Sequence, residues 1–284
     1  MDRKSLYDRI ALWGSAFTPD MLGGTMELYA PLVMRPEEER VLRDIAYGSD
    51  ERHRLDVFRP GTDNAPVLVF VHGGGFVRGD KGGRDDPFYN NVGAWAARSG
   101  FVGVTMTYRL APTHQWPAGG EDVLSAVRWL KANIAEHGGD PDRVFVMGQS
   151  AGAAHVAEAV RRSSPGDFSG ALMISGIYDV VAAGRSELHD AYYGTDENRF
   201  AQQSTMPALG ETQIPCLFSI SEYDPPEFQS QAAMVVEARL QATRHWPEMH
   251  WLAGHNHLSS VSQMGTEHDT LGPLIADFIE RHGP

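Results

Sequence analysis

The tightest constraint on the fold is a run with no polar residue, Val67-Leu68-Val69-Phe70-Val71. A half-buried strand alternates apolar with polar positions, so five apolar residues in a row predict a strand covered on both faces. Comparable strands are predicted at 101–107, 143–147, 171–175 and 214–220, with a last short one at 250–252. Segments of helical spacing lie between them. Within 121–137, Val123, Ala126, Val127, Leu130 and Ile134 fall at i, i+3, i+4, i+7 and i+11, and Gly138-Gly139 marks the stop. Further helices are predicted over 151–162, 227–243 and 267–282. Strand alternating with helix implies a mostly parallel sheet with helices on both faces. Residues 41–47 and 55–58, joined by Gly48-Ser49-Asp50-Glu51, read as a hairpin that adds an antiparallel N-terminal edge. The class is α/β, with eight strands predicted.

At 284 residues, one domain of this kind accounts for the whole of 1–284, and a chain this long buries enough apolar surface to fold without metal or disulfide staples. Two segments break the pattern. Residues 1–40 read as irregular, with short amphipathic pieces, and 176–213 interrupts the alternation beyond the carboxyl end of a strand. Interruptions of that length usually carry function, so both are candidate cap or lid segments. The net charge of −13 argues against nucleic acid or an anionic membrane as partner. The single cysteine, Cys216, lies in an apolar run and reads as a buried strand residue. Met1 to Tyr7 lacks the apolar core of a signal peptide, and no run reaches the ~18 apolar residues of a membrane span. The expectation is a soluble cytoplasmic protein.

Gly148-Gln149-Ser150-Ala151-Gly152 sits between the strand 143–147 and the helix 151–162. This is a G-x-S-x-G nucleophile elbow in the strand-turn-helix setting it requires. A turn that sharp leaves no room for bulky neighbours. The helix behind it presents N–H groups and a positive dipole end to a developing anion. Chance occurrence in a glycine-rich loop is the competing explanation, and the flanking elements weigh against it.

His72-Gly73-Gly74-Gly75-Phe76 follows the strand ending at Val71. A tetrahedral oxyanion is best stabilised by fixed backbone donors in a dry site, and successive glycines allow that approach. The motif is the HGGG loop of lipases and esterases; a phosphate-binding loop lacks support because no P-loop lysine follows. Gly74, Gly75 and Ala151 are the expected oxyanion donors, and His72 is read as structural.

Serine needs a base, and the base a carboxylate, in the chain order Ser, Asp/Glu, His. Asp224, in the loop after the strand 214–220, is the expected acid; Glu222 competes, and Asp179 lies one strand too early. The loop Ala253-Gly254-His255-Asn256-His257-Leu258 supplies two candidate bases, with His257 preferred to His255. Read as a metal pair, these histidines lack a third ligand at recognisable spacing, so no metal or cofactor is expected. His114, His155, His245 and His250 read as polar or packing residues. Phe17, Phe76, Trp116, Tyr178 and Tyr192 are candidate pocket aromatics, each equally readable as core.

These residues resemble the hormone-sensitive-lipase-like branch of the α/β-hydrolase serine esterases. Tyr108-Arg109-Leu110-Ala111-Pro112, Trp116-Pro117-Ala118, Glu121-Asp122-Val123 and Gly139-Asp140-Pro141-Asp142-Arg143 carry the resemblance further, most strongly over 65–180. It implies an α/β-hydrolase fold and hydrolysis of short- to medium-chain carboxylic esters through an acyl-enzyme, without cofactor. It also makes the closing helix and last strand possible homodimer surfaces. Gln149 departs from the branch, which typically has Asp there, and so does Asp224-Pro225-Pro226-Glu227-Phe228. Asn256-His257-Leu258, Tyr192-Tyr193-Gly194 and the 47–57 hairpin look more like kynurenine formamidases and related bacterial esterases. Those relatives favour His257 and raise aryl amides or formamides as substrates.

The reading is a carboxylesterase-type serine hydrolase with a small ester as substrate, Ser150, Asp224 and His257 as triad, and acyl or aryl esters as its range. Amide, formamide or carbamate hydrolysis by the same triad is the nearest alternative. A non-catalytic binding protein on the same fold is the remote one, since such proteins often lose a triad member and none is missing here.

Overall fold

The structure is a computed structural model that describes residues 1–283. Its strands are β1 (Val41–Ala46), β2 (Arg54–Phe58), β3 (Ala65–Val71), β4 (Val102–Met106), β5 (Gly139–Gln149), β6 (Gly170–Ile174), β7 (Cys216–Tyr223) and β8 (Glu248–Asn256). They form one sheet in the order β1-β2-β4-β3-β5-β6-β7-β8. β2 runs against both its neighbours and every other pairing in the sheet is parallel.

The unbroken apolar runs work as a two-sided wall. In β3, Val67, Val69 and Val71 join one core layer while Leu68 and Phe70 join the other. β5 repeats this, with Val144 and Val146 on the first side and Phe145 and Met147 on the second. Successive strand side chains point to opposite faces, so both faces need helices. Helices α1 (Arg3–Trp13) and α2 (Pro19–Tyr29) precede the sheet, and α3 (Asn90–Arg98) follows β3. α4 (Ala118–Asn133) and α5 (Ala151–Arg162) cover the Val67 side with Val127, Leu130, Val156 and Val160. Then come α6 (Glu187–Tyr193), α7 (Phe200–Gln203), α8 (Met206–Glu211), α9 (Pro226–Thr243), α10 (Ser259–Ser262) and α11 (Gly272–His282). The Leu68 side is covered by α3 and α11 through Val92, Trp95, Ile275 and Phe278. Fully burying one such side chain contributes about 1.5–3 kcal/mol.

Several expectations need correction. The supposedly irregular N-terminus holds two capped helices: Asp2 accepts from Ser5 N at 2.8 Å, and Thr18 accepts from Met21 N at 3.1 Å with Pro19 in the first turn. Helix α3 was missed because its buried side is partly polar. Asn91 Nδ2 donates to the Val261 carbonyl at 2.9 Å, Asn90 Oδ1 accepts from Arg43, and a Cβ on Gly93 would collide with the Phe58 ring. The closing helix starts at Gly272, not Glu267, because Asp269 accepts from the N–H groups of Gly265, Leu271 and Gly272 and holds 265–272 as a turn. β8 is nine residues long, three times its predicted length of 250–252, because residues on either side of that segment also pair with β7.

Candidate active site

The parallel strands β3, β5, β7 and β8 end at one edge of the sheet, and the loops leaving them carry the candidate residues. Ser150 stands alone between β5 and α5 at φ +56°, ψ −121°, the left-handed side of backbone space that ordinary residues avoid. A Cβ on Gly148 would strike the Gly152 carbonyl and one on Gly152 the Val71 carbonyl, so both glycines are required by close approach. Ser150 N–H donates to Ile174 O at 2.9 Å, fixing the elbow to β6. The Ala151 N–H opens α5 and has no intrahelical acceptor, while those of Ala153 and Ala154 donate to the Ser150 carbonyl at 2.9 and 3.3 Å.

The glycine loop lies directly against this elbow. A Cβ on Gly73 would stand 3.2 Å from Ser150 Cβ and 2.6 Å from Gln149 Oε1. Gly74 at φ +127° and Gly75 at φ +60° turn the backbone. A Cβ on Gly74 would collide with the Arg78 carbonyl, and one on Gly75 would come within 2.7 Å of Leu188 Cδ1 from α6. His72 is wholly buried, stacks on Tyr108 at 4.3 Å and donates from Nδ1 to the Gly73 carbonyl at 2.6 Å. Burial pushes its pKa down to about 4, so it is neutral. The Tyr108 hydroxyl donates to the His72 carbonyl at 2.8 Å, so the pair braces the loop.

Asp224 and His257 meet. His257 Nδ1 donates to Asp224 Oδ1 at 2.6 Å, with both side chains buried. Asp224 Oδ2 accepts from Ser221 N and from Ser175 Oγ, each at 2.6 Å. A carboxylate held by three donors is fixed in place. With Nδ1 engaged by Asp224, the other ring nitrogen, His257 Nε2, is buried without a partner. Gln149 Nε2 donates to the His257 carbonyl at 2.8 Å, so the residue beside Ser150 ties the histidine loop to the elbow. The Ser150 hydroxyl makes no hydrogen bond among the described residues; serine–base contacts are often long in unliganded enzymes and tighten on binding.

The competing candidates are engaged elsewhere. Glu222 Oε2 accepts from Gly254 N at 2.7 Å. Asp179 Oδ1 accepts from Val181 N at 2.9 Å. His255 has both ring nitrogens occupied, Nδ1 by Ser259 Oγ at 3.0 Å and Nε2 by Thr270 Oγ1 at 2.8 Å, and burial lowers its pKa to about 4. Cys216 lies on β7, where burial raises its thiol pKa to about 12.

Sequence reasoning gave no role to Gln149, Ser175, Leu188 or Phe228. Gln149 and Phe228 carried a signal, each lying in a segment that departs from the family pattern; Ser175 and Leu188 carried none. Of the candidate aromatics, Phe76, Tyr178 and Tyr192 are buried; Phe76 stacks on Tyr192 at 4.4 Å beside Ala151 and Ala154. Trp116 is half-buried against the same cluster. Phe17 differs. It is 50% exposed, yet its ring stands edge-on to His257 at 4.9 Å, and Phe228 flanks the same imidazole at 4.4 Å.

A protein-family profile described as alpha/beta hydrolase fold matches residues 68–250, more than half of the chain. The chain belongs to the alpha/beta hydrolase fold family. Within this family it is similar to the carboxylesterase NlhH of Mycobacterium tuberculosis, 40% identical over 132 residues that make up 44% of this chain and 39% of that one. It is also similar to the probable carboxylic ester hydrolase LipM of the same organism, 36% identical over 141 residues, 46% of this chain and 31% of that one. The match thus spans less than two fifths of either relative. Among solved structures, esterase B from Lactobacillus rhamnosis superposes with a TM-score of 0.75 at 17% identity, covering 99% of this hydrolase-fold chain and 96% of its own. At that identity the likeness speaks for the fold. Among the described residues no helix is long and apolar enough to cross a membrane.

Proposed function

We propose that this protein hydrolyses carboxylic esters through an acyl-enzyme, with Ser150 as nucleophile, His257 as general base and acid, and Asp224 as its orienting carboxylate. The observation that carries the reading is the Asp224–His257 contact at 2.6 Å, which engages Nδ1 and leaves Nε2 without a partner. In this scheme Nε2 takes the Ser150 proton as Oγ attacks the ester carbonyl. The carbonyl oxygen becomes anionic and is held by N–H groups of Gly74, Gly75 and Ala151. His257 then returns the proton to the departing alcohol and activates the water that releases the acid, while Asp224 stabilises the transient imidazolium.

The names of the M. tuberculosis relatives, both ester hydrolases, support an ester over an amide substrate. Short- to medium-chain acyl or aryl esters fit the aromatic surroundings of the site. The segments 1–40 and 176–213 are proposed as its cap. Phe17 of the first reaches His257 and Leu188 of the second packs over Gly75. Action in the cytoplasm and as a homodimer belongs to the same proposal and rests on composition and resemblance alone.

The test is hydrolysis of p-nitrophenyl esters from acetate to dodecanoate by the protein and by Ser150→Ala. Activity on the shorter esters that disappears in the folded variant is expected. No activity on any ester by the folded protein overturns the proposal.

A further inference from the structure

At the other end of the sheet lies a cavity of about 240 Å³ lined by four arginines, Arg35, Arg40, Arg59 and Arg98, against a single carboxylate, Glu37. Its place follows from the strand directions. Phe58, part of its lining, pairs with Gly103 near the start of β4. Arg98 closes α3 just before that strand. The cavity therefore sits at the amino-terminal ends of the parallel strands, whereas Ser150, Asp224 and His257 follow their carboxyl ends.

Arg35, Arg40 and Arg98 are solvent-exposed and Arg59 is half-buried, and only one of the four is held by a carboxylate. Arg98 makes no side-chain hydrogen bond or ion pair among the described residues, and Arg35 donates only to the Asp85 carbonyl at 2.8 Å. Arg59 donates from Nη2 to the Glu39 carbonyl at 3.3 Å, but its Nε is buried without a partner. Arg40 alone is paired, with Glu37 at 2.9 Å. The remaining lining is apolar, with Val41, Phe58 and Ala97 among it. In a chain of net charge −13, this concentration of arginine is local and specific.

We infer that this cavity binds a small organic anion, a phosphate or carboxylate head on an apolar body, away from the reaction centre. Arginine forks match the paired oxygens of such heads, and Val41 and Phe58 supply the apolar contact. The occupant is a small molecule on two grounds. The cavity is smaller than the ~300–1,000 Å³ typical of drug-sized ligands, and the overall negative charge repels extended polyanions such as nucleic acid or an anionic bilayer.

Calorimetric titration of the full chain with phenyl phosphate and with phenylacetate tests this, with benzyl alcohol and inorganic phosphate as controls. Saturable one-to-one binding of at least one aryl anion is expected, weakening as salt rises, with no binding of benzyl alcohol and weaker binding of inorganic phosphate. Arg98→Gln removes a side chain without partners, so the fold and any esterase activity stay as they are. It should weaken binding about tenfold, the loss of one charge-assisted hydrogen bond. Arg59→Gln/Arg98→Gln should abolish it, and Ser150→Ala should leave it unchanged, whichever way the esterase assay falls. Absence of saturable binding, equal affinity for inorganic phosphate, or binding that survives the double substitution would overturn the inference.

Discussion

Asp224→Asn is the most discriminating single substitution. Asp224 Oδ1 accepts from His257 Nδ1, and Oδ2 accepts from Ser221 N and Ser175 Oγ, all at 2.6 Å and fully buried. An amide offers one oxygen and one NH₂. If the oxygen stays on the Ser221 and Ser175 side, two bonds survive and NH₂ faces the imidazole. Nδ1 must then accept, the proton moves to Nε2, and Nε2 no longer takes the Ser150 proton. The opposite orientation sets NH₂ against two buried donors, at about 1–3 kcal/mol for each left unsatisfied. The first orientation is therefore favoured, giving a folded protein with the wrong tautomer. The same change in a serine-protease triad lowers kcat about 10⁴-fold, on the order of 5 kcal/mol of barrier. Initial rates on p-nitrophenyl butyrate, beside a thermal melt, measure it. A folded variant within about tenfold of the parent would refute the role given to Asp224, and Glu222→Gln is expected to leave the rate little changed because that carboxylate serves Gly254 N–H.

Further outcomes follow from the same contacts. Gln149→Ala strands the buried His257 carbonyl; a stability loss of about 1–3 kcal/mol with a fall in kcat is expected, and an unchanged denaturation midpoint would contradict it. Gly74→Ala forces a methyl onto the Arg78 carbonyl at φ +127° and should remove most activity, read by kcat at saturating ester. Burial lowers the pKa of His72 and His255 to about 4 and of His155 to about 3. Below ~6.5, the ordinary histidine value, the unfolded chain takes up protons that the folded one refuses, so this stability is full above pH ~6.5 and is lost as pH falls toward ~4. By pH 5 each histidine should cost about 2 kcal/mol, and urea midpoints that stay level between pH 7 and 5 would contradict this.

The sheet was legible because its strands are buried on both sides. Val67 to Val71 carries no polar residue, and that pattern has few other solutions. The two sharp turns beside the sheet's carboxyl edge were legible because glycine marks close backbone approach, at Gly148 and Gly152 around Ser150 and at Gly73 to Gly75 before Phe76. What escaped was held by polar tertiary contacts. Helix α3 spends Asn90 and Asn91 on buried bonds to distant residues, which erases the apolar stripe that marks a helix. The contest between His255 and His257 had no local answer, because it depends on Thr270 and Asp224, residues brought in by other parts of the chain. Phe17 reaches His257 only because two N-terminal helices fold back over the sheet edge, a packing with no short-range signature.

The central claim is that Ser150 carries the acyl group. Rapid mixing with p-nitrophenyl acetate, followed by acid quench and peptide mass spectrometry, tests it directly. The account predicts a burst of p-nitrophenol approaching one equivalent and an acetyl mass on the peptide containing Ser150, both absent in Ser150→Ala. Turnover that persists in that variant, or acetyl found on another residue with Ser150 unmodified, would contradict it.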